Sequence, residues 1–81
     1  MSRKLIGRQD LERLALQEIR SFAGGDFVVS VEVEYQPIDA TGANWSLFTF
    51  VRKGGSPKII EYAARTTRDR LRDQYNLRLE A

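Results

Sequence analysis

Few residues in this chain could do chemistry, because its 81 residues include no Cys and no His. Their absence excludes thiolate–zinc sites, cysteine nucleophiles, iron–sulfur clusters, histidine triads and histidine metal sites. Glu32 and Glu34 stand two residues apart, and neighbouring carboxylates can share a proton or hold a hard cation. No further acidic residue follows at the spacing of a metal-binding motif, so we interpret the pair as the hydrated face of a strand. We therefore predict no catalytic or metal site and no enzyme activity.

A glycine-rich segment precedes the last predicted helix. Its five residues, 54–58, read GGSPK, and free backbone N–H groups at a helix start beside a lysine can hold a phosphate. The segment matches neither the P-loop pattern nor the dinucleotide-binding fingerprint. Ser56 and Pro57 are also the residue types that begin helices best, as N-cap and first helical residue. We favour this structural interpretation and predict no cofactor.

Basic residues provide one candidate binding surface. Arg65, Arg68 and Arg72 fall at i, i+3 and i+7, so they share one face of a helix. Together with Lys53 and Lys58, this face could contact a phosphate backbone. Acids at helix-neighbour spacing would neutralise much of the face through three predicted pairs: Glu61–Arg65, Arg65–Asp69 and Asp69–Arg72. We favour a hydrated, ion-paired helix and keep nucleic-acid binding as the alternative.

Aromatic residues provide the other candidate surface. Trp45 lies on one face of a predicted strand, and Phe48 and Phe50 lie on the other, so both faces carry large apolar groups. Exposed aromatic rings beside basic residues can stack on the bases of a nucleic acid. They can equally form half of an interface between two proteins. For so small a chain, self-association is the use that we favour.

Apolar spacing predicts the elements that position these residues. A stripe of apolar residues predicts a helix over residues 9–23, with Asp10 as its N-cap and glycines 24–25 as its stop. Alternation of apolar and polar residues predicts a strand over 27–35. A second strand over 44–53 follows, after a polar connection with its tight point at Gly42.

The second half of the chain completes a small layered domain. A second apolar stripe predicts a helix over residues 57–75, with Asn76 as its stop, and residues 77–80 alternate as in a short third strand. The order α–β–β–α predicts a two-layer α+β domain over residues 1–81, with both helices packed on one face of an antiparallel hairpin. A hairpin alone is marginally stable, so a third strand or a dimeric sheet is expected.

Charge and the N-terminus bear on location and partners. The net charge is only +2, too small to indicate nucleic acid or membrane by itself. Residues 1–8 carry three bases and no apolar run of signal-peptide length. We therefore expect a flexible basic arm, a cytoplasmic location and no membrane contact.

These features together predict a small non-catalytic binding module. Its expected partner is another protein, including a second copy of itself, bound through the second strand with Trp45, Phe48 and Phe50 as interface residues. The alternative is a nucleic-acid-binding domain that uses the arginine face of the last helix and the basic arm.

Overall fold

Two helices and four short strands make up residues 3–79, which a computed structural model of the chain describes. Along the chain the elements are β1 (Lys4–Ile6), α1 (Arg8–Ser21), a 3-10 turn (Gly25–Phe27), β2 (Val28–Tyr35), β3 (Trp45–Val51), α2 (Pro57–Gln74) and β4 (Tyr75–Leu77). β2 and β3 form an antiparallel hairpin, and β1 pairs in parallel with β4. The predicted α+β class, with helices packed on an antiparallel hairpin, is confirmed.

The two helices cover the same face of the hairpin. α1 lies against β2, and α2 lies against β3. Fully buried Trp45 packs with Leu11 of α1 and Leu71 of α2, while Ile19 and Ile60 belong to a second apolar cluster nearer the other end of the helices. Burial of these apolar groups is the main favourable term in folding.

A register shift in β2 changes which of its residues face the helices. Val31 pairs with Thr49, but the register shifts between Val28 and Ser30. Because the extra residue changes the alternation, Val28 is buried and Val29 is exposed. Strict alternation over residues 27–35 predicts that Val29 shares a face with Val31, and this prediction is wrong.

The helix ends match the predicted caps at the start of α2 and differ from them at both ends of α1. Ser56 Oγ accepts a hydrogen bond from Ile59 N at 3.5 Å, and Pro57 is the first residue of α2, as predicted. The N-cap of α1 is Gly7. The prediction of Asp10 is therefore wrong, and its carboxylate lies in the first turn and binds Arg13 at 2.9 Å. α1 ends at Ser21, before left-handed Gly24, because Phe22 is extended.

The two ends of the chain pair with each other. Lys4 pairs with Tyr75 and Ile6 with Leu77, and Arg78 N donates to Ile6 O at 2.8 Å. Residues 4–6, expected to belong to a flexible arm, are therefore a strand of the fold. Residues 1 and 2 of that segment lie outside the described residues.

The terminal strand lies earlier than the sequence predicted. Asn76, expected to stop the helix, is inside β4, because the backbone becomes extended at Tyr75. Arg78 and Leu79, expected in the strand, follow it. Glu80, the last residue of the predicted strand, lies outside the described residues.

Side chains from the start of β3 hold β4 in place. The buried side chain of Asn44 donates to Leu77 O at 3.0 Å and accepts from Leu77 N at 2.7 Å. Trp45 Nε1 donates to Tyr75 O at 3.0 Å. The Asn44 amide thus pairs the Leu77 backbone as a neighbouring strand would, and satisfies polar groups that would be costly to bury alone.

Candidate interaction surface

Trp45 is not available for contact with a partner. Its side chain is fully buried, and its indole N–H is bonded to the backbone of β4. A buried indole normally finds such a partner, because an unpaired N–H in the interior costs free energy. Its predicted place on an interface is therefore wrong. The residue is a centre of the core.

Phe48 and Phe50 lie on the face of the hairpin opposite the helices. Phe48 is 49% exposed and Phe50 is 50% exposed. Glu32 pairs with Phe48, and Ser30 pairs with Phe50 across the strands. We call this surface the open face; its residues are Ser30, Glu32, Glu34, Ser46, Phe48 and Phe50. Two neighbouring aromatic side chains thus lie in water with a carboxylate beside them.

A groove runs between β3 and α2 on the helix side of the hairpin. Its volume is about 420 Å³. Leu47 and Thr49 of β3 form one wall, and Ile60 and Ala64 of α2 form the other. The small side chain of Ala64 leaves space that a larger residue would fill. We call this feature the β3–α2 groove.

The rim of the β3–α2 groove is mainly cationic. Arg52, Arg65 and Arg68 line it together with one carboxylate, Glu61. Glu61 pairs with Arg65 as predicted, and both side chains are largely exposed. Exposed pairs of this kind contribute little stability, so the guanidinium group can exchange this carboxylate for another at low cost.

Arg72 does not share the surface of the other arginines. Its side chain is only 17% exposed and bonds to the carboxylate of Asp39, in the connection between β2 and β3. Its backbone oxygen accepts a hydrogen bond from Arg3 Nε at 2.6 Å. Asp69, the predicted partner of both Arg65 and Arg72, pairs with Arg68 instead. Arg72 is therefore a structural residue that ties α2 to the loop.

Asp39 is the acceptor at the centre of this network. The Thr41 hydroxyl and backbone N–H both bond to its carboxylate, and the Arg72 guanidinium adds a further bond. Hydrogen bonds from Thr41, followed by the contact with Arg72, lower the pKa of Asp39 from 3.8 to about 2. The carboxylate therefore stays charged through most of the acid range.

The two lysines of the predicted basic surface lie in exposed positions at the end of the hairpin. Lys53 follows β3, and Lys58 is in the first turn of α2. Gly54, between them, has a φ of +107°, so the glycine is explained by the turn without a ligand. Phe27 packs against this turn, where the Arg52 guanidinium lies 5.0 Å from its ring centre.

The remaining chemistry of the described residues is sparse. Glu32 and Glu34 are exposed on the open face, and among residues 3–79 no group of three or more acidic side chains is arranged to hold a metal ion. Neither helix in this range is long and apolar enough to cross a membrane. A wider cleft of about 780 Å³ at the start of α1 is bounded by chain-end residues Arg78 and Leu79. Of the predicted binding residues, that cleft includes only Arg8 of the basic arm, and it contains none of those on β3 or α2.

Sequence reasoning missed the groove and the open edge of β3 beside it. Apolar spacing places Leu47 and Thr49 on the same face of a strand as Trp45, but it does not bring them beside Ala64. The alternation in β3 and the adjacent Ala63 and Ala64 were visible signals of a strand and a close-packed helix. How the two elements lie side by side depends on contacts that neither segment contains.

Comparisons of the chain with models of known protein families, with curated proteins and with solved structures give no match. The features of the chain that bear on function are therefore the open face, the β3–α2 groove and their charges.

Proposed function

We propose that this chain is a non-catalytic protein-binding module that associates with a second copy of itself through the open face. The observation that carries the proposal is the exposure of Phe48 and Phe50 side by side on that face. Aromatic residues are enriched in the cores of protein interfaces. Covering the open face with a second copy would also remove these two apolar rings from water, which is favourable.

The arrangement of charges suits packing of one β3 against another. Both phenylalanines lie on β3, whereas Glu32 and Glu34 lie on β2. When two copies stack β3 on β3, the rings occupy the centre and the carboxylates remain at the hydrated margin. This arrangement follows the usual division of an interface into an apolar core and a polar rim.

The test is the mass of the protein in solution. We expect light scattering at micromolar concentration to give twice the 9.3-kDa chain mass. Replacing both phenylalanines (Phe48→Ser and Phe50→Ser) should return the mass to one chain. The control is Leu5→Ser with Ile38→Ser, which removes two apolar side chains that are 66% and 69% exposed elsewhere on the molecule. A one-chain mass for the unaltered protein would contradict self-association.

Nucleic-acid binding is the weaker proposal. Arg65, Arg68, Lys53 and Lys58 are still available to phosphates, but Arg72 is bonded to Asp39. Residues 4–6, which carry part of the predicted basic arm, are paired with β4. Fewer cations are thus free to contact a phosphate backbone than the sequence indicated. Binding of a single-stranded oligouridine tests whether the remaining cations form a nucleic-acid site.

A further inference from the structure

We infer that the β3–α2 groove binds an extended, acidic segment of another protein, which adds to the free edge of β3 as a further strand. The inference assumes that the chain is a protein-binding module. It does not depend on self-association through the open face, because it uses the edge of β3 and the opposite side of the hairpin.

The hydrogen-bond pattern shows which backbone groups of β3 point away from β2. Gln36 N donates to Asn44 O at 2.8 Å, which continues the ladder of the hairpin. In an antiparallel pair every second residue bonds to the partner strand, and the residues between them point outward. The register therefore turns the N–H and C=O groups of Leu47 and Thr49 away from β2. Within residues 3–79, β2 is the only strand that pairs with β3.

The equivalent edge of β2 is covered, which makes the open edge of β3 distinctive. Glu12 Oε2 accepts a hydrogen bond from Val33 N at 2.8 Å, and Arg20 Nε donates to Val28 O at 3.1 Å. Side chains of α1 thus bond to outward-facing backbone groups of Val28 and Val33 in β2. Proteins commonly protect edge strands against unwanted pairing. In this chain the side chains of α1 protect the edge of β2, whereas the edge of β3 borders the β3–α2 groove.

The groove accepts the side chains that such a strand would bring. Successive side chains of a strand point to opposite faces, so every second side chain of an added strand points toward α2. Those side chains would meet Leu47, Ile60 and Ala64, the apolar part of the groove. Backbone pairing with an edge strand supplies affinity in this binding mode, and pockets for alternate side chains supply specificity.

The charge of the rim selects an acidic segment over a second copy. Arg52, Arg65 and Arg68 line the rim, and their carboxylate partners, Asp26, Glu61 and Asp69, are all largely exposed. Because exposed ion pairs contribute little stability, an incoming acidic side chain can replace these partners at low cost. A second copy that paired edge to edge along β3 would bring its own three arginines to the same seam. Like charges placed together across an interface are costly, which disfavours that occupant.

The experiment uses eight-residue peptides as probes for the 81-residue chain. Each labelled peptide has four central valines and two charged residues at each end, either glutamate or lysine, so that one charged side chain at each end points toward α2. Binding is followed by fluorescence anisotropy. We expect the valine–glutamate peptide to bind and the valine–lysine peptide to bind at least about tenfold more weakly. A valine–glutamate peptide with N-methyl groups on alternate amides keeps the charge but cannot form the ladder, and should lose binding.

Protein variants locate the site. Arg65→Glu with Arg68→Glu should weaken binding of the valine–glutamate peptide by roughly tenfold or more, because it reverses two charges of the rim. Arg13→Glu is the matched control, since Arg13 is an exposed arginine of α1 outside the groove. Circular dichroism checks that both variants retain the helical fold. A control variant that weakens binding as much as the double variant would overturn the assignment.

Three further results would overturn the inference. They are equal binding of the glutamate and lysine peptides, equal binding of the N-methylated peptide, and binding of a single-stranded oligouridine with no binding of the peptides. If oligouridine binds and the double variant at Arg65 and Arg68 abolishes that binding, the groove is a nucleic-acid site. The mass measurement on the Phe48 and Phe50 variant is independent, so failure of self-association and failure of strand addition are told apart.

Discussion

The clearest example of a residue whose role depends on its partners is Asp39. From sequence it is one of four acids in the stretch between residues 26 and 44, which contains no base. In the structure it accepts hydrogen bonds from Thr41 and Arg72. These bonds connect the loop between β2 and β3 to α2, and Arg3 bonds to both Arg72 O and Thr41 O. The network therefore joins three segments that are distant in sequence.

This network makes stability depend on pH at the residue scale. The pKa of Asp39 is about 2 in the folded chain against 3.8 as its ordinary value. A carboxyl whose pKa is lowered by folding adds stability above its unfolded pKa, and this contribution is lost as the pH falls through the folded pKa. We expect Asp39→Asn to lower the free energy of unfolding above about pH 4, with the difference shrinking toward pH 2. Urea unfolding followed by Trp45 fluorescence measures this.

The control for that prediction is Thr41→Val. It removes the hydroxyl that bonds to Asp39 but retains the Thr41 backbone N–H and Arg72. The pKa of Asp39 should rise toward its ordinary value, so the loss of stability on acidification should be smaller and should be complete at a higher pH. A constant difference between the unaltered chain and Asp39→Asn down to pH 2 would show that ionisation of Asp39 does not stabilise the fold.

At the scale of elements, α1 does more than cover the apolar face of the hairpin. It also satisfies the outer edge of β2, through Glu12 at Val33 N and Arg20 at Val28 O. Both valines are fully buried, so water is a poor substitute for these side chains. A buried donor left without a partner costs about 1–3 kcal/mol.

We therefore expect Glu12→Ala to lower the free energy of unfolding by about 1–3 kcal/mol, because Val33 N–H loses its acceptor. Glu12→Gln supplies an amide oxygen at the same place and should cost less. Urea denaturation of the three proteins gives the comparison. Equal losses in the Ala and Gln variants would mean that the charge of Glu12, and not its acceptor oxygen, is what matters.

At the scale of the whole molecule, the chain has little core for its surface. On folding, a chain of this size buries only about 60% of the surface that its unfolded state exposes to water. Its buried apolar residues divide into two clusters, around Trp45 and around Ile19. Large apolar side chains such as Phe48 and Phe50 remain outside both. Association is therefore a direct way for this molecule to gain stability.

The stability of a self-associating protein depends on its concentration. Folding coupled to dimer formation makes the Tm rise with protein concentration by mass action. A tenfold increase should raise the Tm by about 3–5 °C for a chain of this length. The variant with serine at positions 48 and 50 should show no such increase. Differential scanning calorimetry at two concentrations makes the comparison, and an unchanged Tm for the unaltered protein would contradict the dimer.

The amino-acid sequence by itself determined the helices and the hairpin. Their signals are local: an apolar stripe of helical period, the alternation before Tyr35, and the Ser56–Pro57 helix start. Such patterns specify an element because neighbouring side chains on a helix or strand share one face. The α+β class followed from the order of these elements.

Only the tertiary structure decided which face of β3 is buried, where the chain ends pair and which arginines are free. Both faces of β3 are apolar, and the helices cover the one that carries Trp45, whose indole bonds to β4 thirty residues away. Arg72 is withdrawn from the surface by a carboxylate thirty-three positions earlier in the chain. The physical reason is the same in each case. Hydrogen bonds and ion pairs between distant segments depend on how elements pack. The periodicity of one segment does not specify how that segment packs against another.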